Sequence, residues 1–348
     1  AQARFRLFFD RVSRGVGQFC DGVHVRRKFT HFPRKLCLLA RCGGLKSLFG
    51  LPLPGRVPQL SVKIQQEPDR LDAARRVVER HIARDELVIP TLPRVAVRVV
   101  RSGTNNSGNA HLLADIIQSD PALAQYVLRI AGFAARRPPV PITSLQHAIA
   151  RLGLEVVANI AFTLALQGKM LHVEGQHGKA RRLWRHSLAS ALWARELAAR
   201  QARETGLCYL CGLLHDIGRA VALGAVHDAA QRAGLELAGN EYDRLIEIFH
   251  RDVGKRVIFA WALPPPVPAV AARWESCESA GAAGWESTVV NLAHKLADFT
   301  LQEPGTPARE LLVLDPGYRD LGFSGPDTEA LFDTAADIDA ELDRYLSP

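Results

Sequence analysis

No stretch of this sequence approaches the roughly 20 consecutive apolar residues that a bilayer-crossing helix requires. The most apolar candidate, Leu154 to Leu166, is interrupted by Glu155, Asn159 and Thr163, and reads as a buried helix. No secretory signal is expected either: near the start only Leu7-Phe8-Phe9 stands between charged residues, too short for an h-region. Without one, the 6 cysteines read as reduced thiols in a cytoplasmic protein. Cys208 and Cys211 form a C-x-x-C with no second such pair, so buried packing is expected of them and not a zinc ribbon. Cys20, His24, His31, Cys37 and Cys42 are too irregularly spaced to read as a metal site. Strand alternation with β-branched residues is absent throughout, and the expected fold class is all-α, a compact multi-helix domain.

Charge is unevenly placed. Residues 1–60 carry twelve Lys and Arg against Asp10 and Asp21, while the other 288 residues carry 32 basic and 34 acidic groups. The nearly neutral main body argues against a broad nucleic-acid-binding face. Contact with nucleic acid or a membrane surface is therefore expected only through residues 1–60, which read as a weakly ordered basic extension. The expected organisation is an extension and linker over 1–67, a helical domain over 68–302, and a loop and helix over 303–348.

Helix punctuation becomes regular from Pro68. Asp69 is expected to cap a helix to about Arg84, Thr91 to open another, and Asp120-Pro121 to supply an N-cap and first helical position. Ser144 should cap a helix ending at Gly153. Further helices fit 154–167, 178–202, 206–217, 241–262, 285–301 and 327–346. The polar stretch Gly103 to Asn109 and the loop Arg136-Arg137-Pro138-Pro139 are candidates for contacting other proteins.

Chemistry concentrates in Gly212-Leu213-Leu214-His215-Asp216-Ile217-Gly218-Arg219. An imidazole and a carboxylate in an apolar helical run are costly to bury unless each finds a partner. A divalent cation is one such partner, since neutral imidazole and ionised carboxylate both ligate it. Further ligands must come from other helices, and the sequence offers His186, His250, His294 and Asp298. His294 and Asp298 lie four apart and share a helix face.

His186, then His215-Asp216, then Asp298 or His294 resembles the HD superfamily of metal-dependent phosphohydrolases. The order of Leu92-Pro93, Gln118-Ser119-Asp120-Pro121-Ala122-Leu123, Pro141-Ile142-Thr143-Ser144-Leu145 and Leu183-Trp184-Arg185-His186-Ser187 narrows the likeness. With the His-Asp octet, His250, Gly254 and Trp261-Ala262-Leu263-Pro264, it resembles an HDOD domain over roughly residues 85–300. That resemblance implies a helical bacterial signalling module that acts on signalling-protein partners without established catalysis.

It also implies a single divalent metal (Mn, Fe, Mg or Zn) held by His186, His215, Asp216 and Asp298 or His294, with His250 as a further candidate. Aligned by Asn291-Leu292-Ala293, His294 occupies the place where the family usually has its final aspartate. The histidines that follow the His-Asp helix in two-metal HD-GYP phosphodiesterases are missing from Ala271-Ala272-Arg273-Trp274-Glu275, and no GYP sequence is present. The alternative function is a metal-dependent phosphohydrolase acting on a nucleotide or cyclic dinucleotide. In that reading Asp216 orients the attacking water and Arg219 steadies a phosphate oxygen, although Arg219 reads first as a solvated helix-end charge.

Overall fold

The computed structural model describes residues 66–346 apart from 84–86, 95, 99–109, 135–140, 264, 276–283, 304 and 307. Residues 1–60 and the two loops singled out for partner contact lie outside the described residues. Among the described residues the secondary structure is helical, with no strand.

An N-terminal helix, α1 (Gln66–Ala83), is followed by four that pack on one another: α2 (Ala110–Gln118), α3 (Pro121–Ala134), α4 (Leu145–Leu152) and α5 (Leu154–Met170). Two caps form as expected. Asp120 Oδ1 accepts from the Leu123 amide at 3.1 Å, and Ser144 Oγ accepts from His147 N at 3.0 Å. Asp69 lies inside the first turn of α1 and is not its cap. The short helix α2, buried through Leu113, Ala114, Ile116 and Ile117, was not expected.

The central element is α6 (His177–Arg200), which carries buried Trp184, Leu188, Leu192 and Trp193. Against it pack α7 (Thr205–Leu214) and α11 (Gly284–Leu301). A second layer pairs α8 (Ile217–Arg232) with α9 (Gly239–Trp261), and α1 lies on α8. The short α10 (Val267–Arg273) returns across α9 and α7. The chain closes with α12 (Arg309–Val313), α13 (Pro316–Asp320) and α14 (Gly325–Leu346), the last lying along α6.

Helix α8 was not expected as a separate element. Ala220, Val221, Ala222, Ala225, Val226 and Ala229 are all buried, so neighbours surround it and no one-sided apolar stripe marks it in the sequence. The helix expected over 206–217 breaks one turn early: α7 stops at Leu214, and Asp216 has φ −121 and ψ 24 before α8 begins.

Together 205–232 do have the length and composition of a membrane span, contrary to the expectation that no stretch would qualify, but 83% of that window is buried within the protein.

Glycines bracket this break for a steric reason. A Cβ on Gly212 would stand 2.7 Å from the Ser190 carbonyl oxygen of α6. One on Gly218 would stand 2.0 Å from the His250 carbonyl oxygen of α9. Both helix pairs approach at backbone distance, and His215 and Asp216 are clamped between those two contacts.

Candidate metal centre

Three helices deliver imidazoles to one point. His186 comes from the middle of α6, His215 from the end of α7 and His294 from α11. Their ligand-capable nitrogens all lie within 4.8 Å of one another. His215 is 4% exposed, and His186 and His294 are half-buried. Trp274 roofs the group, with its ring 4.7 Å from that of His215 and 4.5 Å from that of His294.

Hydrogen bonds orient each ring. His215 Nδ1–H donates to the Gly212 carbonyl at 2.7 Å, which leaves Nε2 with its lone pair facing His294 Nδ1 at 3.1 Å. His186 Nε2–H donates to Asp298 Oδ1 at 2.9 Å, while Asp298 Oδ2 lies 3.7 Å from His294 Nε2. Asp298 thus stands behind the His186 ring, as carboxylates do behind metal-ligating histidines, and close to that of His294.

Burial keeps His215 and His294 neutral. It lowers the His215 pKa to about 3, with the charge of His186 adding to the effect. His294 is driven well below the ordinary histidine range, first by burial and then by His215 and His186. Neutral imidazole is the form that binds metals.

The donor set fits a divalent cation. Nitrogens 3.1 Å apart are close to the spacing of adjacent donors around one ion with bonds of about 2.1 Å. With the proton of His294 on Nδ1, the same contact is a hydrogen bond donated to His215 Nε2 that needs no ion.

The expected ligands do not all converge. Asp216 is buried beside the break but stays outside the three-histidine group; its Oδ2 is paired with Arg219 Nε at 2.6 Å. The reason is local: the non-helical backbone at 216 starts a new helix, and Arg219 one turn on captures the carboxylate. Burial pushes the Asp216 pKa up to about 6, with Arg219 opposing the rise.

Arg219 is not a solvated helix-end charge. It lies in the first turn of α8 and also meets Glu247 Oε2 at 2.6 Å. His250 stands apart from the cluster and donates through Nδ1 to the Glu247 carbonyl of its own helix at 2.9 Å. Of the two alternatives for the final ligand, His294 enters the cluster and Asp298 supports it. Trp274 was not anticipated, because nothing local marks the tryptophan that folds over a distant histidine.

An opening of about 300 Å³ leads to the cluster, lined by Arg182, Ser187, Asp216, Arg219, Asp298 and Glu303 among others. Its two arginines face three carboxylates, and Arg219 is already held by Asp216 and Glu247.

The family model of the HDOD domain matches residues 89–276. The fold superposes with a TM-score of 0.62 on a protein from Shewanella amazonensis provisionally described as a metal-dependent phosphohydrolase, 20% identical, covering 79% of this chain and 99% of that one. It superposes with a TM-score of 0.55 on a protein from Marinobacter aquaeolei provisionally described as a signal transduction protein, 23% identical, covering 81% of this chain and 66% of that one. An uncharacterised protein of Treponema pallidum is 22% identical over 187 residues, 51% of this chain. The match spans 36% of that relative's length.

Proposed function

The chain belongs to the HDOD family, and from that premise we propose that it is a regulatory output module of bacterial signalling, working in the cytoplasm through protein partners and without substrate turnover. The observation that supports this reading is the Asp216–Arg219 pair at 2.6 Å. It ties up the carboxylate a phosphohydrolase would use beside the histidines. It also neutralises the cation that would meet a phosphate, a neutralisation that Glu247 completes. The fold shared with a protein described as a signal transduction protein agrees with it. Cys208 and Cys211 fit a reducing compartment: both are buried, and burial pushes the Cys208 thiol up to about 12.

A second reading, a metal-dependent phosphohydrolase acting on a nucleotide or cyclic dinucleotide, is favoured by the three-histidine cluster alone. His186, His215 and His294 would hold the ion, and Asp298 would orient His186. A divalent ion there would supply Lewis acidity. Ligands assigned from the sequence motif therefore change: His294 replaces Asp216 in the holding set.

The test is a hydrolysis screen with cyclic dinucleotides, nucleotides and generic phosphodiesters in manganese, iron, magnesium or zinc. No turnover is expected. Metal-dependent hydrolysis that is lost in both His215→Ala and His294→Ala, with folding intact, would replace the regulatory reading by the phosphohydrolase.

A further inference from the structure

One face of α9 is open along most of its length. Ile248 is 42% exposed there and Phe259 88% exposed. The rest of the helix is occupied: Leu245, Ile246, Val253 and Val257 are buried, and α8 and α10 pack against it.

Single exposed apolar side chains are ordinary on a protein surface. These two share a line. From position 248 to 259 the helix turns to within about 20° of its starting direction and advances roughly 16 Å. Between them on the same line stand Asp252 and Lys255, both exposed. The stripe therefore runs apolar, acidic, basic, apolar at spacings of four, three and four residues, as a coiled-coil seam does.

That order is self-complementary. A two-fold axis crossing α9 midway between positions 253 and 254 lays a second α9 antiparallel on the first. It sets Phe259 of each copy against Ile248 of the other, and Asp252 of each against Lys255 of the other. A parallel second helix would instead set acid on acid and base on base. Within one chain Asp252 and Lys255 stand 3.9 Å apart, with 75% and 63% of their side chains exposed. So loose a pair leaves both charges open to a facing copy.

The neighbouring arginines do not oppose this contact. Arg251 pairs with Glu275, and Arg256 donates to the Ile82 carbonyl at 3.0 Å. They also flank the stripe on opposite edges, because five positions turn a helix by about 140°.

From this pattern we infer that the open face of α9 docks a second copy of this chain, antiparallel, across Ile248, Asp252, Lys255 and Phe259. Such an interface is one patch used twice, the commonest form of assembly. A single helix pair buries less than the roughly 1,200 Å² of a standard interface. The dimer is accordingly weak, with a dissociation constant on the order of 10 μM. The inference is independent of whether the histidine cluster holds a metal or turns over a substrate, since none of its residues lies on α9.

The test is sedimentation equilibrium of the full chain from about 1 to about 500 μM, a range that brackets that constant. A reversible monomer–dimer equilibrium is expected. Phe259→Glu should raise the dissociation constant at least about tenfold. Asp252→Lys alone and Lys255→Asp alone should each do the same, because each sets like charges against one another across the axis. An equimolar mixture of those two variants should associate again. One chain then carries only lysines at the facing positions and the other only aspartates, and no pair within a chain can produce that rescue.

A chain that stays monomeric throughout overturns the inference. So does a dimer untouched by Phe259→Glu, or a mixture that associates no better than its components. All three substituted positions are exposed, so the variants keep the fold, which far-UV circular dichroism verifies.

Discussion

His186 Nε2 and Asp298 Oδ1 meet at 2.9 Å across α6 and α11, 112 residues apart in the chain. The same carboxylate lies 3.7 Å from His294 Nε2, one turn earlier on its own helix, so it orients His186 directly and adds only a negative charge near His294. This makes Asp298 a support for the ligands, while Asp216, the other aspartate of the motif, serves Arg219.

Cobalt or zinc titration separates these two roles. Asp298→Asn should weaken metal binding by about 10–100-fold, the usual effect of losing a carboxylate behind a histidine ligand. Asp216→Asn should leave affinity within a few-fold. Loss of binding in Asp216→Asn with Asp298→Asn unaffected would reverse the assignment.

Gly212→Ala should destabilise the fold by about 1–3 kcal/mol, because its Cβ would press on backbone atoms of α6 that cannot turn aside. Gly218→Ala should cost at least as much, given the shorter approach to the His250 carbonyl. Urea unfolding reads both. An unchanged midpoint for Gly218→Ala would mean that the two helices separate freely.

Stability should fall as pH drops from about 7 toward 4. His215, lowered to about 3 in the fold, and His294, lower still, remain neutral there while the unfolded chain takes up protons near 6.5. Each contributes up to about 1.4 kcal/mol per pH unit within that window. Asp216 acts oppositely: its pKa is raised to about 6, so its contribution is lost as pH rises from about 3.8 to 6. Two histidines outweigh one aspartate. The check is chemical denaturation across pH, where His294→Asn should show a flatter profile than the parent chain.

Trp184→Ala should cost about 3–5 kcal/mol, since the indole is 1% exposed at the centre of the core. It precedes His186 by two residues, so the same variant should also disorder the imidazole cluster. Metal titration alongside thermal unfolding tests the two effects together.

Docking of α14 rests partly on a two-pronged pair between Arg195 and Glu341, with contacts of 3.0 and 2.8 Å. The pair is partly buried, so Arg195→Ala should cost roughly 1–3 kcal/mol, between exposed and fully buried pairs. Replacing both partners, Arg195→Met with Glu341→Leu, should recover most of it. If the double variant is as unstable as the single one, the charges themselves are required.

Much was legible locally. The Asp120 and Ser144 caps, the apolar faces of α5, α6, α9 and α11, and the burial of Trp184, Leu213, Leu214 and Trp261 follow from residue type and spacing, because capping and helical periodicity act over one or two turns. His186, His215, His294 and Asp298 could be nominated for the same reason: polar groups in apolar helices need partners.

Tertiary structure decided the rest. Helix α8 left no mark in the sequence because neighbours bury it on all sides and no stripe remains to be read. The break between His215 and Asp216 depends on two backbone contacts to different helices, made through Gly212 and Gly218, and no local propensity encodes it. That break turns Asp216 toward Arg219, brings His294 to His215, and leaves His250 facing a separate cavity. The sequence determined which side chains would need partners, and only long-range packing determined which partner each received.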